Sequence, residues 1–258
     1  MRRWIVSLGL LMVVSSYTAH ALDMKGLVLY LTFDEGSGTA AKDASGKGNN
    51  GTLSGKVDWV AGKRGKAIQV NDDAGGNLVT VKNNASLNPT TAMTITAWAN
   101  VMSVPDGHVS LVTKADTWMI HVSNWRGTAG SLDWEPLFWT PAFVAWQTKA
   151  SAVVKMNEWH HIAGVYDGAN VITYIDGKEA GRVAQKGPIA TSTVDVVIGR
   201  DSRGCCSARK AKQAIDDVTI WDRGLSAAEV VEVMDGKATA VEPQGKAATL
   251  WGTVKASI

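Results

Sequence analysis

The stretch EWHHIAGVYDGANVITYIDGKEAG, residues 158–181, decides the fold. It holds three runs of β-forming residues, 162–166, 171–175 and 178–183, with an Asp-Gly pair in each gap: Asp167-Gly168 and Asp176-Gly177. A two-residue hairpin turn requires positive φ, which Gly adopts freely and Asp tolerates. The pattern therefore predicts three antiparallel strands in succession.

The same reading extends in both directions. Residues 93–99 (MTITAWA) alternate as a strand should, and 27–33 (LVLYLTF) place Leu27, Leu29, Leu31 and Phe33 on one face. Shorter strands are expected at 67–70 and 78–81, either side of a 72–77 loop, and at 194–198 and 215–221. Gly36-Ser37-Gly38 and Asn50-Gly51 mark turns between the first of these. With 26 glycines and little helical periodicity, the chain reads as about a dozen short strands, an all-β sandwich or jelly roll. One helix is signalled. Ser226-Ala227-Ala228-Glu229 is a capping box, and the helix should run to about Asp235 and stop at Gly236.

The ends read differently. Arg2 and Arg3, the apolar run 4–14 and Ala19-His20-Ala21 have the order of a signal peptide. The run is shorter than the ~20 residues a membrane helix needs. Residues 1–21 are thus expected to be removed, leaving a domain at 22–236 and a tail at 237–258. The tail carries an apolar cluster around Leu250 and Trp251, and reads either as a loose extension or as an added strand. The expected location is secreted, periplasmic or at the cell surface, with no membrane span. The 26 basic and 24 acidic residues balance once Arg2 and Arg3 are gone. A neutral chain has no global field to draw in a nucleic-acid backbone, so that partner class is excluded. Cys205 and Cys206 are the only cysteines. Adjacent Cα atoms stand ~3.8 Å apart, below the usual disulfide span of ~4.4–6.8 Å. A vicinal ring is the favoured pairing, beside an intermolecular bridge or free thiols.

Five phrases recur in a set order: FDEGSG at 33–38, DASGKGNNGTL at 43–53, EWHHIAGVYDG at 158–168, YIDGKEAG at 174–181 and IDDVTIWDRGLSAAE at 215–229. Together they resemble the concanavalin-A-like, laminin-G-type jelly-roll family, over roughly residues 27–235. The resemblance implies an exported, lectin-like, non-catalytic module that recognises extracellular carbohydrate or a protein surface. The alternative is a structural or adhesive envelope protein acting through protein contacts, and behind it a glycan-cleaving enzyme. The oligomeric state is left open.

Candidate sites follow from residue chemistry. Calcium takes six to eight oxygens on flexible loops, and Asp34, Glu35, Asp43 and Asn50 supply them on the glycine-rich 34–51 segment. By the resemblance, the first and closing strands are neighbours, so Asp216 or Asp217 would join them around a structural Ca2+. The competing reading is that these Asp and Asn side chains cap turns. Trp118, Trp125, Trp134, Trp139, Trp146 and Trp159 are concentrated in one part of the chain. Flat indoles stack on the C–H faces of sugars, yet Trp is also largely buried in β-sandwich cores. Trp125, Trp134 and Trp139 stand in loop-like sequence and are the expected surface platform, with Asn124, Arg126 and Asp133 as hydrogen-bonding neighbours. His160 and His161 are adjacent in a strand, so their rings should face opposite sides and share no metal. Arg200, Arg203, Arg209, Lys210 and Lys212 form a basic run suited to an acidic glycan, or simply a solvated loop. Glycanases need two carboxylates across the scissile bond. Only Asp133 accompanies Glu135, and no nucleophile elbow, phosphate loop or His-Glu-x-x-His helix is present.

Overall fold

The computed structural model describes residues 22–71, 76–125, 129–142, 150–203, 206, 209, 211–212 and 213–239. The expected signal peptide, residues 240–258 of the tail, Arg126, Trp146 and Cys205 lie outside the described residues. Cys206 is buried and disulfide-bonded.

The strands in chain order are β1 (Leu27–Leu31), β2 (Ala40–Ala41), β3 (Gly51–Ser54), β4 (Val57–Ala61), β5 (Lys66–Val70), β6 (Leu78–Val81), β7 (Met93–Ser103), β8 (His108–Lys114), β9 (Trp118–Ser123), β10 (Ser131–Phe138), β11 (Ala152–Lys155), β12 (His160–Tyr166), β13 (Asn170–Ile175), β14 (Lys178–Ala184), β15 (Val196–Ile198) and β16 (Lys212–Trp221). They form two antiparallel sheets. Sheet one runs β14-β13-β12-β7-β16-β5-β4, with β1 also paired to β16; sheet two runs β11-β10-β9-β8-β15-β6-β3-β2. The all-β jelly-roll expectation holds.

The predicted hairpins are present with one shift. Asp176 (φ 50°) and Gly177 (φ 76°) both take positive φ, joining Ile175 to Lys178. In the preceding hairpin only Gly168 is positive (φ 91°), and Asp167 N–H bonds Asn170 C=O, so the turn residues are Gly168-Ala169. Asp167 instead uses its carboxylate to accept from the N–H groups of Ala169 and Asn170.

The core lies between the sheets. Leu29, Leu31, Ile95, Ala97, Ala99, Ile162, Ile215 and Val218 of sheet one meet Val79, Val81, Val109, Ile120, Val122, Trp134 and Phe138 of sheet two. Leu27, expected on the same face as Leu29, packs on the opposite side, because the β1–β16 register shifts between Leu27 and Leu29. A second apolar cluster covers the outside of sheet one. There α1 (Ala227–Met234) lays Val230 and Val233 on Leu27, Tyr30, Ala163, Val165, Ile172 and Trp221. The capping box forms as predicted, Ser226 N–H donating to Glu229 and Glu229 N–H to the Ser226 hydroxyl. Asp235 caps the C-terminal end and Gly236 (φ 81°) follows.

Strand β16 is the spine of sheet one. Residues 213–215 pair with β5 and residues 218–221 with β1, while the other edge pairs with β7. The switch falls at a bulge where Asp217 has φ 48°. The β4–β5 turn closes on that bulge: Arg64 N–H donates to Asp216 (3.0 Å) and its guanidinium to Asp217 (2.7 Å) and to the Met234 carbonyl.

Candidate functional site

Because one face of sheet two is spent on the core, alternation sends every other residue of β8, β9 and β10 to the outer side. Most of those residues are polar, with Met119 and Leu137 the apolar members. Register aligns His108 with Ser123 and Ser123 with Asp133, and in the next row Ser110 with His121 and His121 with Glu135. A polar outer face is ordinary for an antiparallel sheet, but this one is covered: His121 and Ser123 are fully buried, and Asp133 and Glu135 nearly so. His121 Nδ1 hydrogen-bonds Glu135 Oε1 at 3.1 Å, within the covered layer.

Two described segments form part of the cover. Trp125, in the loop after β9, sets its ring 4.9 Å from that of His108 and 5.4 Å from that of His121, yet remains 53% exposed. The segment 200–203 crosses beside it, with the Ser202 hydroxyl 3.4 Å from that of Thr113 on β8. Asp201 takes the N–H and guanidinium of Arg203 at 2.5–3.2 Å. Burial opposes the Asp201 charge, but those bonds outweigh it and hold the carboxyl below its usual range. Burial, followed by the charges of Arg209, His121 and Arg203, lowers His108 to about 4, so its ring is neutral at pH 7.

Next to Asp201 the surface opens into a cavity of about 400 Å³. Leu78 and Val197, outward residues of β6 and β15, form its apolar floor, and Asp195, Arg200, Asp201 and Ser202 its polar wall. The indole of Trp125, the His108–His121 pair and this cavity follow one another along one sheet face.

Trp125 and Asn124 are exposed on the loop after β9. Trp139 is half-buried and held by its backbone to Thr117 and Ala190. Trp134 is a correction. It lies in mid-strand β10, fully buried and pointing between the sheets, out of reach of a surface ligand. It reads as loop because Asp133, Glu135 and Pro136 surround it. Two of these are outward residues, and Pro136 stands past the end of the β10–β11 ladder, where its missing N–H costs no bond. His160 and His161 diverge as expected, the first towards Trp134 and Asp176, the second against Trp98 on the outside of sheet one. Burial lowers His161 to about 3, leaving it a neutral packing group.

What sequence reading missed is that His108 and His121 join Asp133 and Glu135 on one face. The signal is local: His121-Val122-Ser123 and Asp133-Trp134-Glu135 each alternate polar and apolar with period two. Their meeting depends on the β9–β10 register.

The calcium candidates occupy two places. Asp43 accepts four hydrogen bonds, from Tyr30 N–H, Ser45 N–H and hydroxyl, and Asn49 N–H, at 2.8–2.9 Å, while Asn50 accepts from Asp43 N–H. A carboxylate has about four acceptor positions, so Asp43 is saturated as a turn cap. Asp34 and Asp216 instead hold the β4–β5 turn, through Lys66 N–H and Arg64 N–H. Among the described residues no three Asp, Glu, His or Cys side chains are grouped to hold a metal. These contacts do not fit one calcium cage.

Among the described residues, no helix is long and apolar enough to cross a membrane. No curated protein matches the chain. The binding domain of Paraclostridial Mosquitocidal Protein 1 superposes with a TM-score of 0.62 at 19% identity, covering 82% of this chain and 52% of that one. Domain 4 of AbnA, a GH43 extracellular arabinanase from Geobacillus stearothermophilus, solved with arabinotriose, gives 0.59 at 18% identity, covering 80% and 97%. The binding domain of Botulinum Neurotoxin DC, in complex with SialylT, gives 0.60 at 12%, covering 82% and 51%. The chain thus spans about half the length of the toxin structures it matches. The model of the concanavalin A-like lectin/glucanases superfamily, laminin-G type, matches residues 73–231, and with the two-sheet architecture this establishes that the chain belongs to that superfamily.

Proposed function

We propose that this protein is an exported, non-catalytic module that binds extracellular carbohydrate through the outer face of sheet two. One observation carries the reading. Trp125 presents more than half of its surface to solvent while the His108 and His121 rings hold it from beneath. A large indole left exposed but immobilised offers a stacking plane whose ordering cost is already met. The Asn124 side chain beside it supplies both a donor and an acceptor for hydroxyl groups, and the cavity along the face has the size of a small-ligand site. Superfamily membership supports the reading, as does the arabinotriose held by the structurally similar arabinanase domain. Export rests on the leader-like pattern of residues 1–21.

A glycan array probed with the protein, followed by calorimetry on the best binder, tests this. Trp125→Ala should weaken binding about tenfold or more, the ~1.4 kcal/mol of one stacking contact, and leave the melting temperature nearly unchanged. Unaltered affinity in that variant would remove Trp125 from the site, and a blank array would overturn the carbohydrate reading.

One observation favours a second reading. Asp133 and Glu135 share the outer face with His121, the residue types of acid–base glycan cleavage. Their burial beneath the cover places binding first. Turnover of a bound oligosaccharide that disappears in Glu135→Gln would reverse the order.

A further inference from the structure

The cavity beside Asp201 holds an imbalance of charge. Asp195 is matched by Lys82 Nζ at 2.9 Å and by Asn83 N–H at 2.9 Å. Asp201 is matched by the Arg203 guanidinium. Behind the same wall Lys114 is fully buried, with Nζ on two neutral acceptors, Asn83 Oδ1 (2.7 Å) and the Val194 carbonyl (2.6 Å). Arg200 is the remaining member. It is 8% exposed, lines the cavity, and among the described residues has no hydrogen bond or ion pair.

A guanidinium with so little water around it and no acceptor among the described residues gains from a charged partner. Its five N–H groups form a rigid fork that fits a carboxylate with two parallel bonds. Both carboxylates of the wall are already engaged by other cations, so among the described residues no acid is left for Arg200, and a negatively charged group from outside the chain would satisfy it. The floor beneath is apolar, Leu78 and Val197, as the C–H face of a sugar ring requires, and the Ser202 hydroxyl lies at the rim. A volume of about 400 Å³ is at the small end of ligand sites.

We propose that this cavity is an acidic-sugar subsite in which Arg200 receives the carboxylate of a pyranose ring seated on Leu78 and Val197. The proposal rests on the carbohydrate-binding reading and narrows it to carboxylate-bearing saccharides. Trp125 stacks one part of the glycan, and Arg200 selects for the acid.

The test titrates the protein with tri-galacturonate and 3′-sialyllactose, with the methyl ester of each, and with lactose as a neutral control. At least one acid should bind tenfold or more tightly than its own methyl ester, and lose affinity as salt rises. Arg200→Gln should bring acid and ester to the same affinity, whereas Trp125→Ala should weaken both alike. Equal binding of acid and ester by the unaltered protein overturns the proposal and, if Trp125→Ala still weakens it, leaves the carbohydrate reading standing. Preference for a sulfated sugar over both acids would assign the cavity to sulfate and overturn the carboxylate assignment. No binding to any saccharide, neutral glycans of the array included, overturns both. Because the acid-to-ester ratio is measured on the unaltered protein, the proposal is decided even where Arg200→Gln unfolds.

Discussion

At Gly164, in the middle of β12, a hydrogen atom is all the chain can present to the opposite sheet. A Cβ placed there would stand 2.3 Å from the Cβ of Pro136, whose ring fills the gap between the sheets. The constraint is one of space, since this glycine is not among those with positive φ. Both partners sit on rigid, paired strands that cannot yield locally. Gly164→Ala should therefore cost about 1–3 kcal/mol by overpacking, read as a lower urea midpoint with an unchanged slope. A midpoint equal to that of the unaltered protein would mean that the sheets separate at little cost. The tryptophans show the same dependence on side-chain direction. Trp125 and Trp134 both stand beside polar, turn-forming residues, Asn124 and Gly127 for the first and Asp133 and Pro136 for the second, yet one is exposed and the other fully buried. The alternation along β10 is present in the sequence, but Pro136 interrupts the appearance of a strand and conceals it.

Helix α1 shows how a short element is held by its ends. Eight residues are too few for a helix to be stable alone, and its apolar face has to dock on sheet one. The N-terminal cap was legible in the sequence, because Ser and Glu three apart are local partners. The C-terminal arrangement was not. There the Arg64 guanidinium and the Trp98 indole N–H both donate to the Met234 carbonyl, and Arg64 also pairs with Asp217. These residues are far apart in the chain and meet only because the β4–β5 turn closes on the bulge of β16. Arg64→Met should free the helix end and leave Asp217 facing Tyr30 alone, at a cost of roughly 1–3 kcal/mol, towards the low end because the guanidinium is a third exposed. Limited proteolysis should then cut near residue 234 sooner, and equal cutting rates would rule out the clamp. The other end predicts a pH effect. Burial works to raise the Glu229 carboxyl, but Arg223 and the Ser226 N–H and hydroxyl outweigh it and hold it at about 2. A carboxyl lowered on folding stabilises above its unfolded value, near 4.3, and that contribution drains away as pH falls from there through 2. Denaturant midpoints measured from pH 5 to 2 should fall more steeply for the unaltered protein than for Glu229→Gln; parallel curves would show that the cap carries no charge-dependent stability.

Over the whole molecule, the chain closes on itself through β16. Leu27 pairs with Trp221, so the first and last strands of the described body meet at the centre of sheet one. Nothing folds around that position until the end of the chain has arrived. A chain stopped at residue 211 should lack any cooperative unfolding transition by circular dichroism, while one stopped at residue 239 should keep it. A sharp transition in the shorter chain would show that sheet two and its neighbours form an independent unit. What the sequence determined by itself had its partners near in the chain: the all-β class, the 162–183 hairpins and the capping box. Hairpin and cap chemistry acts between residues a few positions apart, so it is written in short phrases. Tertiary structure alone decided which tryptophan faces solvent, that His108, His121, Asp133 and Glu135 share one covered face, and that Arg200 lines a cavity where, among the described residues, it has no acceptor. Those outcomes depend on strand register and on which loops fold over a sheet, and both arise from contacts between residues distant in sequence.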